Sequence, residues 1–195
     1  MPEPLPRHTM VSPSPSAWAA LMVARSDLAA EPLVAGWARA GHPLVVRRPA
    51  CGDAAGAIPL GLPLPPAHGK RRIAVTLGRD DVAGVRPPPL LAEAAHAAPA
   101  GWRDSVGALL RLDSQTRVYG SLAWQHLTGL PYLSETSDLD LLWQLPSRAN
   151  VGALLVGIAT VARDAPMRID GEVIGAAGGV QWRELQEDRV HDVLV

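Results

Sequence analysis

Cysteine is almost missing from this chain of 195 residues: Cys51 stands alone, which excludes an internal disulfide and suits a reducing compartment. Lysine is just as scarce. Of the 18 lysines and arginines only Lys70 is a lysine, so any anion binding falls to arginine, whose planar fork suits phosphate. An excess of one charge is also lacking, and a formal net charge of -1 exerts no global pull on a nucleic-acid backbone. No apolar run approaches the ~20 residues that span a membrane, and the opening MPEPLPRHTM has no apolar stretch of the secretory kind. Internal repeats and low-complexity tails are absent. What is present is apolar content: 48% of the residues are hydrophobic, enough for a chain of this length to bury a core in one domain or two small ones. The expectation is a soluble, cytoplasmic, globular protein with no nucleic-acid and no membrane partner.

Taken in order, residues 1–16 are proline-rich and read as extended chain, with Ser16 the N-cap of a helix over Ala17 to Ser26. Beyond Pro32, Leu33 to Ala40 read as a second helix capped by Gly41. Two basic strands follow, one ending in Arg47 and Arg48, the other opened by Lys70, Arg71 and Arg72. Between them lies a long Gly-, Pro- and Ala-rich loop with a brief extended piece from Ile58. Asp80-Asp81 and Arg86-Pro-Pro-Pro mark a boundary that sets an N-terminal domain, 1–85, apart from 86–195. In the second part, helices over Leu90 to Ala98 and Val106 to Leu112 precede a short strand at Val118-Tyr119 and a helix over Leu122 to Thr128. A strand over Asp138 to Leu145 comes next. A helix follows, starting at Ser147 or Asn150 and running to Ala162, with Val151, Leu154, Leu155, Ile158 and Val161 on its buried face. Met167 to Val173 is a further strand, Gly178 to Trp182 a turn into a short helix or strand, and Asp192 to Val195 a last strand. The fold class is α+β: a small N-terminal α/β part, then a mixed sheet flanked by helices.

The chemistry concentrates in Val118 to Trp143, VYGSLAWQHLTGLPYLSETSDLDLLW. On a strand, side chains alternate, so Asp138 and Asp140 project to one side while Leu139, Leu141 and Trp143 enter a core. Two carboxylates on a rigid edge suit Mg²⁺, which prefers hard oxygens and takes one or two carboxylates plus substrate phosphates; Mn²⁺ is an acceptable substitute. Upstream, Gly120-Ser121 reads as a tight turn at a helix start, where backbone N–H groups and a hydroxyl can hold phosphate oxygens. Downstream, Arg168-Ile-Asp-Gly-Glu-Val brings Asp170 and Glu172 onto one face with Arg168. Asp170 is the preferred third acid, as a further metal ligand or as the group that orients or deprotonates an acceptor hydroxyl. Two metals ~3.5–4 Å apart would stabilise attacking and leaving oxygens together. Arg47, Arg48, Arg71 and Arg72 are candidates for phosphate binding, against the plainer reading of a solvated surface. Trp124, Trp143 and Trp182 lie in apolar runs and read as core, and His126 and His191 lack a second ligand at metal spacing.

A Gly-Ser turn followed by a strand carrying Asp-x-Asp resembles the signature of the polymerase-beta-like nucleotidyltransferases. Val118-Tyr-Gly-Ser-Leu-Ala-Trp-Gln, Ser137-Asp-Leu-Asp-Leu-Leu-Trp, Arg168-Ile-Asp-Gly-Glu-Val and Gln181-Trp-Arg-Glu-Leu together resemble, more narrowly, the phosphoribosyl-dephospho-CoA transferases of malonate decarboxylase, the holo-acyl-carrier-protein synthases. The resemblance is dense over 117–185. It implies triphosphoribosyl-dephospho-CoA as donor, a serine of the malonate decarboxylase acyl carrier protein subunit as acceptor, and pyrophosphate as leaving group. It also implies that residues 1–85 grip the CoA moiety or the carrier. The alternatives are adenylylation of a protein or small molecule on the same scaffold, and a non-catalytic assembly factor that binds the carrier.

Overall fold

The computed structural model describes residues 4–144, 151–175 and 178–186. It divides into two compact units, Met1–Pro88 and Pro89–Val195. The first is built on an antiparallel five-stranded sheet of order β4-β3-β2-β1-β5. Its strands are β1 (Met10–Pro13), β2 (Leu44–Val46), β3 (Ile58–Pro63), β4 (Arg72–Leu77) and β5 (Val82–Arg86). Between β1 and β2 run three helices, α1 (Pro15–Ala24), α2 (Ser26–Ala29) and α3 (Pro32–Ala35).

The helix start falls two residues before the expected cap. Ser14, not Ser16, accepts the Ala17 N–H (3.1 Å), and Pro15 fills the first helical position, where its missing N–H costs nothing. The second helix is shorter than expected; after Ala35 the chain continues in turns to Gly41, at φ 76°. The piece from Ile58 is not an incidental stretch in a loop. It is a six-residue strand between β2 and β4, and its alternation puts Ile58, Leu60 and Leu62 in the core. Val82–Arg86 also forms a strand: Arg86, assigned from sequence to the second domain, pairs with Met10 in the first unit. Trp18 and Trp37 are buried, and their indole N–H groups are satisfied by the carbonyls of Val34 (3.0 Å) and Pro43 (2.9 Å).

The second unit carries a mixed four-stranded sheet of order β6-β7-β8-β9. Its strands are β6 (Arg117–Tyr119), β7 (Leu139–Gln144), β8 (Ile169–Gly175) and β9 (Gly178–Gln181). β7 and β8 are parallel, joined through α7 (Val151–Asp164); β6 and β9 are antiparallel to their neighbours. Helices α4 (Leu91–Ala94), α5 (Arg103–Leu112) and α6 (Gly120–Thr128) complete it, and 182–186 is helical after β9. α+β is thus the architecture, as expected from sequence. Val118, Leu139, Leu141, Trp143, Ile169 and Val173 join Leu109, Leu122, Leu155 and Ile158 in one core. Trp143 and Trp182 belong to that core and Trp124 is buried as well. In α7, Val151, Leu155 and Ile158 are buried and Leu154 and Val161 partly so, the face expected from its apolar spacing. The predicted start of this helix before Val151, His191 and the strand at Asp192 to Val195 lie outside the described residues.

Candidate active site

One face of the second sheet is apolar, so the alternate residues must carry any chemistry. In β7 the inward set Leu139, Leu141 and Trp143 is fully buried, which turns Asp138 and Asp140 to the other face. β8 repeats the arrangement. In the parallel register Asp140 lies abreast of Asp170, and Leu142 abreast of Glu172. Adjacent strands are about 4.8 Å apart, so Asp140 and Asp170 are immediate neighbours, with Asp138 two residues before Asp140, just ahead of β7. On the other side Tyr119, the last residue of β6, is abreast of Asp140. The end of β6 and the starts of β7 and β8 therefore meet at one edge of the sheet. The Leu139 N–H bonds the Arg168 carbonyl there (2.9 Å), tying the two strand entries together.

Gly120 makes this edge possible. It takes φ 64°, which favours glycine, and a Cβ built on it would run into the Asp140 carboxylate. The chain turns here directly from β6 into α6, which begins with no side-chain cap, and Ser121 is its second residue, half-buried. Ser121 is thus not the helix N-cap; that position belongs to Tyr119. Gly120, at the start of α6, and the Asp140 carboxylate are thereby brought together.

Three features of the edge are not obvious from sequence. Gln125, the last residue of the VYGSLAWQ run, clamps the loop that returns the chain to Asp138. Its amide nitrogen donates to the Ala97 carbonyl (2.8 Å), and its oxygen accepts from the N–H groups of Tyr132 and Leu133 (3.1 Å each). Gly171, next to Asp170, lets β7 and β8 pack closely: a Cβ there would come within 2.6 Å of the Trp143 ring and 2.5 Å of the Leu141 carbonyl oxygen. Arg183 stacks on Trp182, 4.4 Å from the ring centroid, and donates to the Ile169 carbonyl (3.2 Å), which fixes a cation beside the entry to β8.

Arg168 has a closer part. Its Nη2 lies 2.6 Å from Asp170 and 3.2 Å from Asp138, a guanidinium held between two of the three acids. The other Asp170 oxygen accepts the Gly171 N–H (2.9 Å). Among the described residues no three His, Cys, Asp or Glu side chains are gathered closely enough to hold a metal ion as they stand. The donor set nevertheless fits a hard divalent cation. Three carboxylates share one edge, and a positive group already sits between two of them.

The four predicted phosphate-binding arginines do not form one cluster. Arg47 adjoins Pro59 near the start of β3, whereas Arg72 pairs with Pro63 at its end, four residues or about 13 Å along the strand. Arg47 donates through both terminal nitrogens to Asp53 (2.5 and 2.9 Å) and also to the Leu60 and Arg48 carbonyls. Arg71 is paired with Glu31. Arg48 and Arg72 are exposed. Elsewhere, in the second unit, a 460 Å³ cleft is lined by His96, Pro99, Arg103 and Leu110 among others; it contains none of the predicted site residues.

Comparison with known proteins places this chain in a family. Residues 6–88 match the model of the phosphoribosyl-dephospho-CoA transferase MdcG N-terminal domain, and residues 90–195 that of its C-terminal domain. A phosphoribosyl-dephospho-CoA transferase of Bradyrhizobium diazoefficiens is 44% identical over 184 residues, 92% of this chain and 81% of the relative. One from Xanthomonas campestris pv. campestris is 38% identical over 171 residues, 85% of this chain and 80% of the relative. No solved structure matches. Among the described residues no helix is long and apolar enough to cross a membrane. The two matched domains account for nearly the whole length, and the chain belongs to the phosphoribosyl-dephospho-CoA transferases, a family of transferase enzymes.

Proposed function

We propose that this transferase moves the phosphoribosyl-dephospho-CoA group from 2'-(5''-triphosphoribosyl)-3'-dephospho-CoA to a serine of the malonate decarboxylase acyl carrier protein, with release of pyrophosphate. The observation that carries the reading is the in-register pair Asp140 and Asp170, with Asp138 beside them and the Gly120-Ser121 helix start against Asp140. Such transfers demand charge neutralisation and in-line positioning more than covalent chemistry by the protein. A bond forms between the serine Oγ and the phosphorus next to the ribose as the bond to pyrophosphate breaks. Asp170 orients the acceptor hydroxyl and takes its proton. The backbone N–H groups of the α6 first turn and the Ser121 hydroxyl hold phosphate oxygens. Asp138, Asp140 and Asp170 would hold Mg²⁺, or Mn²⁺ in its place, which would supply neutralisation of the phosphate charge and acidification of the attacking hydroxyl. The N-terminal unit contacts the CoA moiety or the carrier, and Arg48 and Arg72, exposed and not tied into the pairs that hold Arg47 and Arg71, are its phosphate-binding arginines.

The test is intact-protein mass spectrometry of the purified carrier subunit after incubation with this protein, Mg²⁺ and the triphosphoribosyl donor. The expected result is a mass gain equal to phosphoribosyl-dephospho-CoA. An unmodified carrier would overturn the acceptor, and an adenylyl adduct formed with ATP alone would overturn the donor.

A further inference from the structure

Arg168 lies where a metal ligand set should leave room for a cation. Asp138, Asp140 and Asp170 bring three negative charges to one sheet edge, and like charges this close repel unless a cation intervenes. In this structure the cation is internal. One nitrogen of Arg168 reaches both Asp170 (2.6 Å) and Asp138 (3.2 Å), while the Gly171 N–H holds the remaining Asp170 oxygen. The guanidinium is not locked there: its side chain is 61% exposed, against 21% for Asp170, and it can leave without breaking the core. Arg183, a second cation near this strand entry, is engaged by Trp182 and the Ile169 carbonyl. Of the two, Arg168 is the one in ion-pair contact with the acids.

We propose that Arg168 is a built-in occupant of the cation site, which steadies the acidic edge in the free enzyme and must be displaced before a divalent ion binds. This rests on the metal-dependent reading above. It makes Arg168 a positioning residue whose removal strengthens metal binding. A purely structural arginine would have the opposite effect, since its loss would loosen the ligands and weaken metal binding.

The experiment titrates Mn²⁺ into the full-length protein by calorimetry and follows the thermal melt of the same samples. Arg168→Gln is expected to bind Mn²⁺ about tenfold more tightly than the parent, because a repelling charge a few ångströms from the ion is gone. Without metal it should melt lower, and Mn²⁺ should raise its melting temperature by more than it raises that of the parent. Arg168→Lys, which keeps the charge, should bind Mn²⁺ as weakly as the parent. Equal or weaker Mn²⁺ binding by Arg168→Gln, with the parent still binding and Asp138→Asn not, would overturn the role of Arg168 and leave the metal site standing. No Mn²⁺ binding by any of the proteins at millimolar concentrations would overturn both.

Discussion

Arg47 and Arg168 each hold aspartate carboxylates, and the two arrangements differ in stoichiometry and burial. Around Arg47 the charges balance. One guanidinium meets one carboxylate, the remaining donors reach the Leu60 and Arg48 carbonyls, and the Ala50 N–H completes Asp53 (2.6 Å). The two side chains are 23% and 16% exposed. The Arg47 guanidinium, followed by the Ala50 N–H, holds the Asp53 carboxyl below the usual aspartate range. Around Arg168 one exposed guanidinium is shared by two carboxylates, and Asp140 lies abreast of one of them, Asp170. A closed, neutral pair stabilises a loop. The shared guanidinium at the acidic edge, 61% exposed, is the more open of the two arrangements.

Substitutions can break this contrast, and among those that leave the acids themselves in place the largest effect is expected at Gly120. Gly120→Ala forces a side chain into the Asp140 carboxylate at a positive φ, which costs about 1–2 kcal/mol from backbone conformation alone. Turnover should fall about 10²–10³-fold as the acid is displaced from the helix start. A urea melt and a carrier-modification rate measure the two effects; unchanged turnover would detach Asp140 from the chemistry. Gln125→Ala should come next. It removes the clamp on the Ala97 carbonyl and on the N–H groups of Tyr132 and Leu133, at about 1–3 kcal/mol. Hydrogen exchange should accelerate over the loop leading into Asp138, with a smaller loss of rate. The smallest effect belongs to the balanced pair. Because the folded-state pKa of Asp53 is depressed, its contribution to stability is present above the ordinary aspartate value and lost as the pH falls through the folded one. Arg47→Ala should lower the melting temperature modestly at neutral pH, narrow its difference from the parent at acidic pH, and leave turnover close to that of the parent.

Much of the second unit is legible in the sequence because its periodicities are strong. The alternation of Leu139, Leu141 and Trp143 and the spacing of Val151, Leu155 and Ile158 each mark a buried face, and Asp138, Asp140 and Asp170 follow on the face opposite the first, where Leu142 is buried as well. The first unit is harder to read. Its strand β3 is Ile-Pro-Leu-Gly-Leu-Pro, where proline and glycine mask a period-two core pattern with the residues of a loop. β5 is short, with little apolar contrast, and it pairs with a strand some seventy residues away, which no local signal reveals. The jobs of Gln125 and Gly171 are equally tertiary: each depends on what a distant segment places against it. Strand alternation puts Arg168 on the acidic face, but its sharing between two carboxylates appears only once β7 and β8 are in register.

The measurement that bears most directly on the account compares Asp140→Asn with Asp53→Asn, both shown to be folded by circular dichroism, in the carrier mass-shift assay. The account predicts that Asp140→Asn yields no detectable modified carrier while Asp53→Asn modifies it at close to the parent rate. Near-parental turnover by Asp140→Asn would contradict the assignment of the acidic edge as the catalytic centre.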